Sequence, residues 1–167
     1  MGKKKILILD NSNLSYVGSD INGPILRGTE TSLILLSEEL AKKNLDVFFA
    51  TKTNQEKKIN GVHYINKNDI DKEKVYDLAI AVSNANLFNK IKSIKKAVFS
   101  VSNQSLEKFL RKRQFISTYT HKPVIVTLCD YQFKKRSFVT SPFGKLTIPI
   151  TVDRQFIDEK IDINFIP

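Results

Sequence analysis

The sequence predicts an α/β domain with a Rossmann-like, doubly wound and mainly parallel sheet. Short apolar runs alternate with amphipathic segments along the chain, and several of these runs are apolar at every position, as in strands buried on both faces. The chain has 167 residues, 41% of them hydrophobic, which is enough for one domain with a core. No apolar run approaches the roughly 18–20 residues that a membrane-spanning helix needs.

The first 51 residues form one predicted strand–helix–strand unit. Ile6–Leu9 is an apolar run that ends in polar Asp10–Asn13, as at the end of a buried strand. Thr29–Asn44 predicts a helix capped by Thr29, and Leu45–Thr51 predicts the second strand. Because such crossovers are right-handed and join strands of one direction, the two strands should be parallel.

The alternation then continues to the end of the chain. Further strands are predicted at Val62–Ile65, Tyr76–Val82, Ala97–Val101, Val124–Leu128 and Leu146–Ile150, and helices at Ala85–Lys92, Ser105–Phe115 and Asp130–Arg136. This order favours an open, doubly wound sheet. We predict that the domain spans residues 1–156 and that residues 157–167 are an interdomain linker, with a second domain outside this chain.

Cysteine and histidine are too few for a zinc site within one chain. The chain has one cysteine, Cys129, and two histidines, His63 and His121. We therefore predict no metal, and the single cysteine favours a reducing, cytoplasmic compartment. No cofactor is predicted either. Cys129 is interpreted as a small buried residue, and His121 as an incidental loop residue.

The loop before the Thr29 helix is a candidate ligand site. It contains Gly23, Arg27, Gly28, Thr29 and Glu30, and it lies at the carboxyl edge of the sheet, where doubly wound folds bind ligands. A helix N-terminus offers free N–H groups and partial positive charge to a phosphate, and an arginine adds a cation. The alternative is that the glycines only shape a turn and Glu30 only balances the helix dipole. Both interpretations remain open. Dinucleotide-binding and Walker A glycine patterns are absent.

Three segments together resemble the family-4 (group 1) glycosyltransferases of GT-B fold. Gly23…Gly28-Thr29-Glu30 and Leu40–Val47 resemble the opening of that family, in which glycines and a Glu begin the first long helix. Val124–Phe133 resembles its mid-domain strand and helix, and Ile148–Phe156 resembles the turn before its interdomain linker. The segments occur in the family's order across nearly the whole chain.

The resemblance implies the N-terminal, acceptor-side half of a two-domain enzyme. Such an enzyme transfers a sugar from a nucleotide-sugar donor to a glycan or lipid-linked acceptor, without a metal and with retention at the anomeric carbon. Its own C-terminal domain would hold most donor contacts, so this half alone should be nearly inactive. The loop of residues 23–30 would face the donor phosphates, with Gly28 and Thr29 as backbone contacts.

The resemblance identifies no catalytic residue, and the sequence departs from the family's pattern at several positions. Asn44-Leu45 replaces the family's Gly-His, and Ile150-Thr151 replaces its Asn-Gly. The family's frequent His after the mid-sheet strand is also missing, because Val101-Ser102-Asn103 stands there. Asn103 could still contact a sugar hydroxyl. Asn11 and Asn13, after the first strand, either line the same cleft or only cap the turn.

Positive charge is concentrated in residues 92–136. The chain carries a net charge of +10, and this stretch alone holds 11 basic and 2 acidic residues. Its clustered cations are Lys108, Arg111, Lys112, Arg113, Lys134, Lys135 and Arg136. They predict either a solvated helix face, whose apolar side packs on the sheet, or a surface for anionic lipid or a phosphorylated acceptor.

A second predicted function follows from this charge. The chain would be a non-catalytic, Rossmann-like binding module that recognises anionic lipid or nucleic acid through residues 92–136. Lipid contact would place it peripherally on the inner face of the membrane. Nucleic acid is the less favoured partner, because the sequence contains no nucleic-acid-binding motif.

Overall fold

A computed structural model describes residues 2–23, 26–54, 56–101, 112–135 and 143–148 of the chain. The strands are β1 (Lys5–Leu9), β2 (Asp46–Thr51), β3 (Lys57–Ile59), β4 (Val62–Asn66), β5 (Val75–Val82), β6 (Lys92–Ser100), β7 (Val124–Thr127) and β8 (Lys145–Thr147). The helices are α1 (Gly28–Lys42), α2 (Lys112–His121) and α3 (Asp130–Lys135), with 3₁₀ helices η1 (Gly18–Asp20) and η2 (Ala85–Lys90).

The described strands form one eight-stranded sheet in the order β3-β4-β2-β1-β5-β6-β7-β8. Every neighbouring pair is parallel except β3 with β4, which is antiparallel. Without β3, the parallel strands lie in the order 3-2-1-4-5-6-7 of their appearance along the chain, which extends the Rossmann order. The structure thus confirms the predicted α/β class and its mainly parallel, Rossmann-like sheet.

The two faces of the sheet carry separate cores because strand residues alternate between them. Ile6 and Ile8 of β1 share one core with Leu33 and Ile34 of α1. Leu7 and Leu9 share the other with Phe88 of η2. Right-handed crossovers explain this layout: the chain steps from β1 to β2 in one direction, and from β5 through β8 in the other. Accordingly α1 covers one face, and η2, α2 and α3 belong to the other.

The first helix begins differently from the prediction. Arg27 is the N-cap and makes no side-chain capping bond, so Thr29 lies inside α1 and is not its cap. Its buried face is formed by Leu33, Ile34 and Ser37, whereas Leu36 and Leu40 are only half-buried. Asn44, at φ 62°, then turns the chain into β2.

The β3–β4 hairpin was not predicted from the sequence. Its turn is Asn60-Gly61, with φ values of 48° and 84°, and two successive left-handed residues are typical of a type I′ turn. Asn-Gly between strand segments was a readable signal. β3 escaped prediction because it is only three residues long and two of them, Lys57 and Lys58, are charged. Lysines suit this position, because they discourage pairing with another chain at a sheet edge.

Most other predicted elements agree with the structure, with three differences in extent or type. The helix predicted at Ala85–Lys92 is the 3₁₀ helix η2, and the strand predicted at Ala97–Val101 begins earlier, at Lys92. α2 continues to His121, so that histidine ends a helix and does not lie in a loop. Residues 102–111 and 149–167, which include most of the predicted Ser105–Phe115 helix and the predicted linker, lie outside the described residues. None of the helices in the described ranges is long and apolar enough to cross a lipid bilayer.

Candidate functional site

The candidate site lies at the carboxyl edge of the sheet, between the ends of the adjacent strands β1 and β5. After β1 the chain crosses to β2 on one side of β1, whereas β5 lies on the other side. In doubly wound folds, ligands bind in the crevice at such a switch point. Asn11 follows β1 and Asn84 follows β5, and the Asn84 amide donates to Asn11 Oδ1 at 3.3 Å across the crevice. Ser83 between β5 and Asn84 has φ 54°, a strained conformation for a residue other than glycine. Its N–H donates to the Phe99 carbonyl at 2.9 Å, which holds the turn in place.

Asp10, the first residue after β1, is buried at 4% exposure. It accepts a 2.7 Å hydrogen bond from the Tyr16 hydroxyl and a 3.1 Å bond from the Ser12 N–H. Burial raises the pKa of Asp10, the two hydrogen bonds oppose that rise, and the negative charge of Glu30 adds to it. Burial, followed by the charge of Asp10, raises the pKa of Tyr16, so the tyrosine stays protonated as the donor.

The N-terminus of α1 is open next to this crevice. Arg27 and Gly28 are exposed, Thr29 is half-buried, and a Cβ added to Gly28 would meet nothing within 4 Å. The first hydrogen bond of the helix runs from the Thr31 N–H to the Arg27 carbonyl at 3.1 Å. The N–H groups of the preceding three residues therefore have no acceptor within the helix, and they remain for other partners.

Glu30 does not lie on this open side. It is 4% exposed, and its Oε2 is buried without a hydrogen-bond partner in the described part of the chain. The structure thus places two carboxyl groups, those of Asp10 and Glu30, beneath the helix end. Lys67 supplies nearby positive charge, with its Nζ donating to the Ser12 carbonyl at 2.8 Å.

Gly23 has a structural role that the sequence analysis left open. Its N–H donates to the Asp20 carbonyl at 2.8 Å, and an added Cβ would lie 3.0 Å from that oxygen. It therefore closes the turn after η1. Asn13 is exposed near the crevice, and Asn103 lies outside the described residues. That Gly23, Arg27, Gly28, Thr29, Glu30 or these asparagines contact a ligand stays a prediction.

Several residues that build the site were not predicted. Asn84 follows an apolar strand just as Asn11 does, so its position at the end of β5 was a readable signal. Tyr16 gave no signal, because a lone aromatic residue in a loop carries no periodicity. Its place is set by distant partners: the Thr51 hydroxyl donates to the Tyr16 carbonyl at 2.9 Å, and the Tyr16 ring meets the edge of Phe49.

The described part of the predicted basic surface divides between two successive helices. Lys112 and Arg113 begin α2, and Lys134 and Lys135 end α3, with Lys134 exposed. Lys108, Arg111 and Arg136 lie outside the described residues. The prediction for Cys129 is wrong, since it is exposed. Within the described ranges, no three His, Cys, Asp or Glu side chains are grouped as metal ligands would be.

No protein-family model matches the chain, and no curated protein or solved structure matches it either. Any function must therefore be argued from the residues described above.

His121 belongs to a polar network that docks α2 on η2. Its Nε2 lies 2.7 Å from Asn89 Oδ1, and its ring meets the edge of Phe88. In the same network, the Ser117 hydroxyl donates to Asn86 Oδ1 at 2.7 Å. Burial, and secondarily the charge of Lys96, lowers the pKa of His121 below its usual 6.5.

This lowered pKa predicts acid-sensitive docking of α2. The unfolded chain binds the His121 proton more readily than the folded chain, so stability is complete above about pH 6.5 and falls as the pH drops through the lowered pKa. We expect the midpoint of urea unfolding to fall between pH 7 and pH 5, and His121→Gln to flatten that dependence. His63→Gln, which removes the other histidine, is the control. An unchanged slope in His121→Gln would contradict the expectation.

Proposed function

We propose that this chain is the acceptor-side domain of a glycosyltransferase that moves a sugar from a nucleotide-sugar donor to a glycan or lipid-linked acceptor, with retention. The observation that carries the proposal is the open N-terminus of α1 beside the β1–β5 crevice. The order of the parallel strands and the resemblance of three sequence segments to GT-B enzymes support it.

The chemistry of glycosyl transfer fits this edge of the sheet. When the donor's glycosidic bond breaks, negative charge develops on the leaving diphosphate, and stabilisation by oriented dipoles is the main contribution that a protein can make. The N–H groups of Gly28 and Thr29 and the exposed Arg27 guanidinium supply positive potential at this edge. The amides of Asn11 and Asn84 offer hydrogen bonds of the kind that acceptor hydroxyls make.

The two buried carboxyl groups limit where a phosphate can sit. Asp10 and Glu30 carry negative potential beneath the helix end, so a diphosphate is favoured only on the outer side of Gly28. We therefore assign phosphate contact to residues 27–29 and leave Glu30 out of that contact. No residue of the domain is assigned as a catalytic base.

The test is a pair of substitutions at Gly28. Gly28→Asp places a carboxylate at the first turn of α1, where the helix dipole stabilises it by about 0.3–1 kcal/mol, so the fold should be kept. The same charge repels phosphate. We expect pyrophosphate and uridine or guanosine diphosphate to shift the backbone amide signals of residues 27–29 in the unsubstituted chain, and Gly28→Asp to weaken that binding about tenfold or more.

Gly28→Ala is the matched control, because it adds a side chain of similar position without a charge. It should bind the diphosphates nearly as the unsubstituted chain does. Diphosphate binding that is equally strong in Gly28→Asp, or signal shifts confined to other parts of the sheet, would refute the assigned site. Release of nucleoside diphosphate from nucleotide sugars by the complete protein, lost in Gly28→Asp, would support transfer as the activity.

A further inference from the structure

Helix α2 is amphipathic, but it buries its polar face and exposes its apolar face, the reverse of a helix that packs on a core. Its polar residues Gln114, Ser117, Thr118 and His121 recur at the i, i+3, i+4 and i+7 spacing of one helix face. Ser117 and Thr118 are buried, and Ser117 and His121 make the side-chain contacts with Asn86 and Asn89 of η2. The polar stripe is therefore the buried one.

The apolar residues of α2 point outwards. Phe115, Ile116 and Tyr119 are 41%, 61% and 40% exposed. The Phe115 and Tyr119 ring centroids lie 4.4 Å apart, and Tyr119 also packs at 5.2 Å, edge to face, with the buried Phe143, so the two exposed aromatic side chains are held in place. An ordered apolar patch of this kind on a helix indicates an apolar partner, because burying it in water-excluded surroundings is favourable.

Charge around this patch indicates what the partner is. The α2 sequence contains no acidic residue; it begins with Lys112-Arg113 and is followed directly by the exposed Lys122. On α3, the next helix along the chain, Tyr131 and Lys134 are also exposed. The partner must therefore combine an apolar layer with negative charge.

We propose that α2 is an interfacial helix that lies on an anionic lipid bilayer. Phe115, Ile116 and Tyr119 would enter the boundary between headgroups and acyl chains. The basic residues that begin and follow the helix in sequence, Lys112, Arg113 and Lys122, would add attraction to the anionic surface. An anionic bilayer offers both required properties, whereas nucleic acid has no hydrocarbon layer for Ile116, the most exposed of the three. The helix has ten described residues, so it lies on the membrane and does not cross it.

This inference is independent of the proposed enzyme activity. It does relate the candidate site to the membrane: Ser117 of α2 contacts Asn86, which lies two residues after the crevice residue Asn84. A catalytic domain and a non-catalytic one would both bind lipid through this face.

Vesicle binding of the whole chain tests the proposal. We expect co-flotation with vesicles that are about one-third phosphatidylglycerol and none with pure phosphatidylcholine, since each cation near an anionic surface contributes roughly fivefold to the partition coefficient. Lys112→Ala with Arg113→Ala should weaken the partition about 25-fold. Phe115→Ser and Ile116→Ser should each weaken it about tenfold. Phe115 and Ile116 are exposed, so the thermal midpoint of their serine variants should change little.

Matched controls exist elsewhere on the surface. Ile94→Ser removes an isoleucine of β6 that is even more exposed than Ile116, and Lys57→Ala with Lys58→Ala removes two exposed lysines from the far edge strand β3. Both controls should bind vesicles as the unsubstituted chain does. The chain contains no tryptophan, so Ile116→Trp introduces a single tryptophan whose selectively excited emission should shift to the blue on anionic vesicles. Ile94→Trp should show no shift.

Several results would overturn the proposal. Equal binding to neutral vesicles would show that the cations do not contribute to binding. No binding to either kind of vesicle would refute membrane contact. Loss of binding in Ile94→Ser would show that α2 is not the contact. A dimer in solution that dissociates in Ile116→Ser, or single-stranded RNA binding that depends on Lys112 and Arg113, with vesicles left unbound, would assign the face to a different partner.

Discussion

Asp10→Asn is expected to raise the free energy of unfolding at pH 7, by about 0.5–2 kcal/mol, the usual gain from relieving a destabilised site. The carboxylate of Asp10 is 4% exposed and near the buried Glu30, and both burial and that neighbour raise its pKa. Asparagine removes the charge and keeps the shape. Its Oδ1 can accept from the Ser12 N–H, and its amide can donate to the Tyr16 hydroxyl oxygen, since a hydroxyl both donates and accepts.

Asp10→Ala should have the opposite effect at the same position. It leaves the buried Tyr16 hydroxyl without its 2.7 Å acceptor and the Ser12 N–H without its side-chain partner. Leaving buried polar groups unpaired costs about 1–3 kcal/mol for each group. The free energy of unfolding, measured by urea titration at pH 7, should therefore rise in the asparagine variant and fall in the alanine variant.

The pH dependence supplies the control for this pair. Because the folded-state pKa of Asp10 lies above its usual 3.8, the folded chain binds the proton more tightly than the unfolded chain between those two values. Protonation therefore restores stability as the pH falls through the raised pKa. The advantage of Asp10→Asn should shrink as the pH approaches 4. An advantage that persists unchanged at that pH would show that Asp10 is not a strained buried charge.

The sheet was readable from the sequence because buried parallel strands are apolar at successive positions. Ile6–Leu9 and Tyr76–Val82 needed no partner information to be recognised, and the central strands they predict are present in the structure. The limits of the helices were less readable. Thr29 is a residue type that favours the N-cap position, yet α1 begins at Gly28 and its N-cap is Arg27, where the backbone is extended. The exact first residue of a helix depends on how the preceding loop packs, which the sequence pattern does not show.

Only those residues of the candidate site that adjoin a predicted strand or helix could be predicted from the sequence. Asn11 and Gly28 are marked by their positions next to a strand and a helix. Lys67 and Tyr16 reach the site through a 2.8 Å bond to the Ser12 carbonyl and a 2.7 Å bond to Asp10, and such long-range pairings leave no pattern in the sequence.

Helix α2 was predicted only at its start, because the predicted helix Ser105–Phe115 overlaps it at residues 112–115 and otherwise lies outside the described residues. A helix whose only partner is its own core packs its apolar residues on that core. Here the asparagines of η2 offer polar partners to Ser117 and His121, so the polar stripe is buried and Phe115 is exposed. The choice between the two faces depends on the residues of another element.

Gly18→Ala is expected to lower the free energy of unfolding by about 1–3 kcal/mol, the usual cost of inserting a methyl group into a packed site. An added Cβ would lie 2.8 Å from the Tyr64 hydroxyl oxygen and 3.2 Å from Glu38 Oε1. Tyr64 is fully buried between the sheet and the loop, so its ring cannot move aside cheaply. In a double-mutant cycle, Tyr64→Phe should destabilise the Gly18→Ala variant less than the unsubstituted chain, because it removes the nearest clashing atom.

Gly28→Ala provides the contrasting glycine for this prediction. Its Cβ meets nothing within 4 Å, and alanine in a helix is favoured over glycine by roughly 0.5–1 kcal/mol, so the thermal midpoint should rise. Equal effects of the two substitutions would mean that Gly18 is not held against Tyr64. The loop between β1 and α1, which carries Asp10 and Tyr16 into the crevice, would then have to approach β4 differently. If Gly18→Ala destabilises the chain and Gly28→Ala stabilises it, the close contact between Gly18 and Tyr64 fixes the loop that forms the candidate site. A glycine is required at that contact because no side chain fits against the Tyr64 hydroxyl.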